Sequence, residues 1–227
     1  MGIPAWVWFA VAVIAALGGM AMLARDRAVR ATRNRERRRW AALRGWHFTE
    51  SDNVLPKQWR GGALGYFGGN LARDVVAGST FTADGRRRVY VFDLDSGGKV
   101  STVVVAVQCR QKHPVVLELW LPSVPFEQEH MPELLGPVGQ RYAFVSDLTK
   151  ARALITPDLV DATEDLGEDI MVTWLENGWV LATAAPNSGP SRLERLIRGV
   201  GEIADVVDPL EAHHEPTPPE QPHDIDR

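Results

Sequence analysis

Residues 3–39 of the chain read IPAWVWFAVAVIAALGGMAMLARDRAVRATRNRERRR, an uncharged segment followed directly by an arginine cluster. The 22 residues from 3 to 24 carry no charge, and a helix of that length rises about 33 Å at ~1.5 Å per residue. The hydrocarbon core of a bilayer is about 30 Å thick. Residues 1–24 are therefore predicted to form a transmembrane helix, with Trp6 and Trp8 near its outer end, where aromatic rings prefer the headgroup level.

The arginine cluster predicts how this helix is oriented. Lys and Arg beside a transmembrane helix stay on the cytoplasmic side, so the N-terminus is predicted to lie outside and the C-terminal domain in the cytoplasm. A cleaved signal peptide would need a basic segment before its apolar core, and no Lys or Arg precedes Arg25. We therefore predict a retained single-pass anchor in the cell membrane.

Residues 25–39, called here the collar, differ in charge from the rest of the chain. They contain Asp26 and Glu36 against eight arginines and so carry +6, which leaves −10 for the remainder of a chain whose net charge is −4. Arginine beside anionic lipid gains about 1 kcal/mol per residue. We predict contact with anionic lipid headgroups by Arg25, Arg27, Arg30, Arg33, Arg35, Arg37, Arg38 and Arg39. Nucleic-acid binding is the alternative for such a run, and adjacency to the anchor argues against it.

The composition divides the chain into four parts. They are a transmembrane helix (1–24), a basic juxtamembrane helix (25–45), an α+β globular domain (46–208) and a disordered, acidic, proline-rich tail (209–227). Residues 25–44 contain no Gly or Pro, so the collar is predicted to continue the membrane helix until Gly45 stops it. The one cysteine, Cys109, excludes an internal disulfide and fits a reducing compartment.

The middle of the chain has the pattern of an antiparallel sheet. Apolar periodicity predicts seven strands, at residues 75–81, 89–95, 100–107, 115–121, 141–145, 170–175 and 179–184. Hairpin sequences separate several of them: Asp84-Gly85, Ser96-Gly97-Gly98 and Asn177-Gly178. Residues 122–139 are predicted to be loop with at most one turn. The short connections favour an antiparallel meander over crossover units.

Three helices are predicted in the second half of the chain. Asp147 caps one that runs to Leu154, and Thr156-Pro157 opens the next. The last helix has a capping box at Ser191 and Glu194 and an apolar stripe that continues to Val207. Strands followed by one closing amphipathic helix resemble the pleckstrin-homology superfold in element order.

Several short motifs, taken with the anchor and the collar, are similar to an uncharacterised group of actinobacterial membrane-anchored proteins. They are Gly45-Trp46, DVVAG at residues 74–78, VFD at 91–93 and LITP at 154–157. The resemblance covers most of the chain. It implies no activity, cofactor or functional residue.

Motifs that carry chemistry are missing from the pattern. Five glycines between residues 61 and 69 lack the Lys-Ser/Thr of a phosphate-binding loop and predict a turn or a bulged strand instead. Asp93 and Asp95 share a strand face and are predicted to be solvated. The histidines match no metal-ligand spacing, and no nucleophile motif is present. We predict a protein that is not an enzyme, with no cofactor and no metal.

A second basic cluster follows the Asp84-Gly85 turn. Arg86 and Arg88 would lie on one strand face and Arg87 on the other. They are a further candidate for anionic lipid, and a solvated strand end is the alternative.

The function predicted from these features is a membrane-tethered cytoplasmic interaction or scaffold module. Its partners would be the lipid bilayer and another protein, with no nucleic acid. Two alternatives remain open: an enzyme with an unrecognised active site, and an extracytoplasmic binding domain if the chain is exported.

Overall fold

The computed structural model describes residues 5–125 and 131–209. His130 lies outside the described residues, and so does the predicted tail after Pro209. The first element is one unbroken helix, α1 (Ala5–Leu43), of 39 residues. Its N-terminal part is long and apolar enough to cross a membrane, and none of the apolar window is buried inside the protein. The collar therefore continues the apolar helix, as predicted.

Gly45 ends this helix, as its position in the sequence predicts. Its φ of +65° is in the left-handed region, which glycine adopts without steric cost. The turn lets the Trp46 amide donate back to the Ala41 carbonyl at 2.8 Å. The chain then reverses and enters the sheet.

Nine strands form one antiparallel sheet within the described part of the chain. Its spatial order is β1-β2-β3-β4-β9-β8-β5-β7-β6. The strands are β1 (His47–Asp52), β2 (Leu71–Thr82), β3 (Gly85–Ser96), β4 (Lys99–Gln108), β5 (Leu117–Trp120), β6 (Glu133–Val138), β7 (Arg141–Val145), β8 (Val172–Glu176) and β9 (Trp179–Ala184).

Four helices and a 3₁₀ turn accompany the sheet and α1. The turn (Leu55–Gln58) and α2 (Gly62–Phe67) connect β1 to β2, and α3 and α4 connect β7 to β8. The bounds of the others are α3 (Leu148–Leu154), α4 (Pro157–Glu164) and α5 (Pro190–Val207). The fold is therefore α+β with a large antiparallel sheet and an apolar N-terminal helix.

The seven predicted strands and the three hairpins are present, but the prediction missed both edge strands. β1 has a single apolar residue, Phe48, and its sequence HFTESD gives no alternation. β6 overturns the loop predicted at residues 122–139. It contains Pro137 and Gly136, at φ +133°, and such residues are tolerated in an edge strand, where one side of the backbone has no partner.

Side chains alternate between two cores on opposite faces of the sheet. Along β3, Val89 and Val91 belong to the core beneath α4, α5 and the end of α1. Phe92 and Leu94 belong to the other core, which packs against the 3₁₀ turn and α2. α5 packs on β2, β4 and β9. Because every central strand is covered on both faces, β4 and β9 are almost continuously buried.

Two of the three predicted helix caps are confirmed. The Asp147 carboxylate accepts from the amides of Thr149 and Lys150, and the Thr156 hydroxyl accepts from the Leu159 amide. The capping box of α5 was wrong, because this helix begins at Pro190 after Gly189 and has no side-chain cap. Glu194, expected in that box, instead accepts from Trp40 and Arg44 of α1.

Candidate functional site

The last turns of α1 pack against the sheet and join the apolar helix to the domain. Trp40 and Ala41 are buried in the core, and the ring of Trp40 meets that of Trp46 edge-on at 5.4 Å. The Trp40 indole nitrogen donates to Glu194 Oε1 of α5 at 2.9 Å. This contact region between α1, β1, β2 and β3 is called here the junction. Through it α1 contacts both the sheet and α5.

A buried ion pair lies at the centre of the junction. Asp93 of β3 is 1% exposed and accepts from Arg37 Nη2 at 3.0 Å and from Arg33 Nη1 at 3.3 Å. Arg37 is itself 2% exposed. Burial raises the pKa of Asp93 above its usual range, while the two guanidinium groups act in the opposite direction. The prediction that Asp93 is solvated was wrong, because α1 covers this strand and supplies the cations.

Asp95, also predicted to be solvated, is buried too. It accepts a hydrogen bond from Arg73 Nε of β2, and its other carboxylate oxygen accepts from the Gly98 amide at 2.7 Å. Two strand-borne carboxylates thus serve different partners. Asp93 holds α1, and Asp95 holds the β3–β4 hairpin and β2.

The backbone of β2 is distorted where it faces α1. Its register with β3 shifts between Arg73 and Val76, and Asp74 adopts a φ of +49°, which is uncommon for a residue with a side chain. A bulge of this kind redirects a side chain. Asp74 Oδ1 accepts from Asn34 Nδ2 at 2.6 Å, so the irregularity provides a further contact to α1.

A cleft of about 520 Å³ opens beside these contacts, between α1 and the strands. The helix contributes arginines on one side, and the strands contribute carboxylates on the other, so the walls carry both signs of charge. Ala31 and Val100 supply small apolar areas. The charged and polar lining residues are Arg30, Arg33, Asn34, Arg35, Glu50, Arg73, Asp74 and Asp93.

The glycine-rich segment forms the short helix α2 rather than a turn or a strand. Glu176 accepts from the Arg60 and Gly61 amides at 2.9 and 3.0 Å, and Glu118 accepts from the Gly62 amide at 2.8 Å. A Cβ on Gly61 would lie 2.5 Å from Glu118 Oε1, so a larger residue there would displace this carboxylate. Because carboxylates already occupy these amides, the segment is not a phosphate cradle.

Glu118 is a buried carboxylate on the face opposite the junction. It also accepts from the Trp120 indole nitrogen at 2.7 Å. Burial raises its pKa above the usual range, although the donations from Gly62 and Trp120 lower it. This residue stabilises the start of α2 and the packing of Trp120.

The eleven arginines predicted to contact lipid fall into different environments. Arg37 is buried and Arg33 is 23% exposed, both against Asp93. Arg87 is buried in ion pairs with Asp205 and Asp208 at the end of α5, which leaves it no surface for a lipid. The exposed members are Arg25, Arg27, Arg30, Arg35, Arg38, Arg39, Arg86 and Arg88. Arg38 pairs with Glu50 at 2.6 Å.

The two basic clusters are not brought together. Arg86 and Arg88 lie seven and five positions before Asp93 on β3, which corresponds to about 17–23 Å along a strand. Sequence reasoning missed Asn34, Glu50, Arg73 and Asp74 as members of the junction. One sign was present: an aspartate between Phe92 and Leu94 in an apolar strand requires a cation from elsewhere.

The described part of the chain holds no metal-binding cluster and no reactive thiol. Within residues 5–125 and 131–209, no three His, Cys, Asp or Glu side chains cluster as a metal site would require. Cys109 is buried, and burial raises the pKa of its thiol to about 12. The thiol is therefore protonated at neutral pH and is a poor nucleophile.

Fold and site together define a class of protein in which an apolar N-terminal helix continues through a charged junction into an antiparallel α+β domain. The chain belongs to the family of the trehalose monomycolate transport factor TtfA, whose model matches residues 3–224. The predicted actinobacterial resemblance fits this family. The description of that group as uncharacterised was wrong, because the family is named for a role in transport.

One relative and one solved structure are similar to this chain. The chain is 24% identical over 201 residues to trehalose monomycolate transport factor A of Mycolicibacterium smegmatis, covering 88% of this chain and 69% of that protein. The crystal structure of the mycobacterial trehalose monomycolate transport factor A matches with a TM-score of 0.66 at 24% identity, over 79% of this chain and 97% of that one. The two structures share a fold. The apolar helix and the family together indicate membrane association.

The buried pair predicts a large effect of Arg37→Met on stability. Removing one member of a buried ion pair costs about 3–5 kcal/mol, and we expect the low end because Arg33 still donates to Asp93. Arg39→Met is the control, since Arg39 is exposed on the same helix and should change the free energy of unfolding by less than about 0.5 kcal/mol. Chemical unfolding of the full chain in detergent measures both, and equal midpoints would contradict the assignment.

The raised pKa of Glu118 predicts that the free energy of unfolding depends on pH. Because its pKa is raised in the folded state, the native protein holds this proton more tightly than the unfolded chain, and stability falls as pH rises through the folded pKa. We expect the wild-type protein to lose stability relative to Glu118→Gln as the pH rises from about 4, the ordinary pKa range of a Glu carboxyl, towards neutrality. Unfolding midpoints across that range measure the difference, with exposed Glu50→Gln as the control. A difference that stays constant with pH would contradict the prediction.

Proposed function

We propose that this protein is a membrane-tethered accessory factor in the transport of trehalose monomycolate, and that it acts through contacts rather than catalysis. The named role of its relatives supports the transport assignment. Its partners are then components of the transport machinery in the same membrane. The observation that carries the tethering is the unbroken helix from Ala5 to Leu43, whose end is fixed to the sheet by buried Arg37 and Asp93.

This geometry suits a protein that holds its globular domain at a fixed distance from the bilayer. From Ala24, the end of the uncharged segment, to Arg33, which pairs with Asp93 of β3, the helix advances 9 positions, about 14 Å. A stiff rod of that length holds the domain clear of the bilayer and in one orientation. A flexible linker would let it move freely. A partner in the membrane would therefore meet the same face of the domain each time.

The orientation in this proposal has the N-terminus outside and the domain in the cytoplasm. Arginines after the apolar segment support it. The exposed collar arginines would contact anionic headgroups, with Arg25 and Arg27 nearest the apolar segment. Arg86 and Arg88 form a second exposed basic patch on the sheet face opposite Arg87. The likeness to the pleckstrin-homology superfold, with α5 closing the domain, is part of this proposal as an arrangement of elements and carries no activity.

The tethering predicts that stiffness between membrane and domain matters for transport. In the native bacterium, deleting the gene should lower the fraction of trehalose monomycolate that reaches the outer envelope, and the full chain should restore it. A five-residue insert that replaces residues 25–29 and keeps both of their arginines should be tolerated when it is helical and should fail when it is built from Gly and Ser. Metabolic labelling and chromatography of surface lipid measure the fraction.

Three results would contradict parts of this proposal. Unchanged surface lipid in the deletion strain would exclude the transport role, and full rescue by a chain without residues 1–24 would exclude the tether. Equal rescue by the helical and the flexible insert would exclude the fixed geometry.

The orientation is tested separately by reporters fused after Pro209. A reporter that is active only in the cytoplasm should give signal, and one that is active only after export should not. Replacing the exposed collar arginines, which leaves Arg33 and Arg37 in place, by glutamine should reduce the cytoplasmic signal, since these charges retain the domain inside. Export of the unmodified fusion would overturn the orientation.

A further inference from the structure

We propose that the junction cleft binds the uncharged sugar headgroup of a membrane lipid. This inference rests on the proposed role in trehalose monomycolate transport, and it names the part of the lipid that the protein would hold. Four properties of the cleft support it: its depth relative to the membrane, its charge balance, its size and its rigidity.

The cleft begins where a lipid headgroup would be. Arg30, its first lining residue on α1, lies six positions after Ala24, which is about 9 Å along the helix. The polar layer on each side of a bilayer is roughly 5–8 Å deep. Arg30 therefore lies at about the outer edge of that layer. A headgroup could enter while its acyl chains stay in the bilayer.

The charge balance of the cleft favours a neutral ligand over an anion. Four arginines line it, but three carboxylates, Glu50, Asp74 and Asp93, line it as well. A phosphate would meet those carboxylates, and Arg33 and Arg73 are already paired with aspartates. A sugar hydroxyl both donates and accepts. It can therefore bond to carboxylates and guanidinium groups alike without bringing a charge into the cleft.

The size and lining of the cleft suit a disaccharide. Ligand sites for small molecules measure roughly 300–1,000 Å³, and this one has about 520 Å³. The methyl groups of Ala31 and Val100 line it and can pack against the C–H faces of a sugar ring. The collar arginines nearest the apolar segment, Arg25 and Arg27, are not in its lining. They remain available for anionic lipid beside the cleft.

The cleft is held in shape before any ligand arrives. Asn34 fixes the carboxylate of Asp74 at 2.6 Å, and Arg33 and Arg37 fix that of Asp93. Both acceptors sit on paired strands rather than on loops. Polar groups that are already oriented lose little entropy on binding a ligand.

The test is lipid binding by the full-length protein in detergent micelles, followed by native mass spectrometry. Three lipids are compared: trehalose monomycolate, the anionic phosphatidylglycerol and the zwitterionic phosphatidylcholine. Free trehalose, measured by calorimetry, distinguishes a free sugar from a lipid-borne one. We expect trehalose monomycolate to bind more tightly than both phospholipids, and free trehalose to compete weakly.

Variants of the lining residues test whether the lipid binds in the cleft. Arg35→Ala with Glu50→Ala removes two exposed lining side chains and should weaken binding roughly tenfold or more, as the loss of charge-assisted hydrogen bonds does. Ala31→Trp fills the cleft and should abolish binding. The matched control is Arg39→Ala with Glu36→Ala, which removes one exposed Arg and one exposed Glu of α1 outside the cleft. A melting temperature for each variant confirms that it is folded.

Each remaining outcome overturns either the inference or the proposed function on which it rests. Binding that survives Ala31→Trp would place the sugar elsewhere, and preference for phosphatidylglycerol would assign the cleft to an anionic headgroup. Free trehalose binding as tightly as the lipid would assign it to a free sugar. If no variant changes lipid binding while deletion of the gene still impairs transport, the cleft inference fails and the proposed function stands. If binding behaves as expected but deletion leaves transport unchanged, the proposed function fails instead.

Discussion

The carboxylate of Asp93, buried beneath α1, is the constraint on which the arrangement of this protein depends. A carboxylate in a core is tolerated when a cation reaches it, because an unpaired buried charge is very costly. Arg37 and Arg33 are the cations, and both lie on α1. The pair therefore sets the rotation and the axial position of that helix against β3. The direction of the apolar segment, the position of Trp40 in the core and the shape of the cleft all follow from it.

Buried polar groups elsewhere in the described chain hold backbone in place. Glu118 and Glu176 accept amides at the start of α2, and Arg87 binds the carbonyl and carboxylate of Asp208. Arg141 donates to the carbonyl of Ile170. These groups all make hydrogen bonds that stabilise the fold. A protein built in this way is suited to offering surfaces and clefts of fixed shape to other molecules.

The sequence predicted the local features of the fold well and the long-range ones poorly. Hairpin turns and the caps at Asp147 and Thr156 depend on neighbouring residues, so their chemistry is legible in a short window. The junction could not be predicted in this way, because Arg37 and Asp93 are 56 positions apart and no neighbouring residue indicates that they pair. The capping box at Ser191 failed for the same reason: Glu194 is drawn away by Trp40 and Arg44, about 150 residues earlier. Edge strand β6 was missed because Gly136 and Pro137 look like loop residues.

The two open edges of the sheet bear on how this protein behaves at high density. Chains held on one membrane meet one another far more often than free ones, and exposed strand edges can then join sheets from different molecules. β6 carries a proline and a register shift between Leu134 and Gly136, which interrupt a regular row of hydrogen-bonding groups. β1 ends in Glu50, Ser51 and Asp52, and its two carboxylates repel a like edge. Both ends of the sheet thus carry features that disfavour edge-to-edge pairing between neighbouring copies.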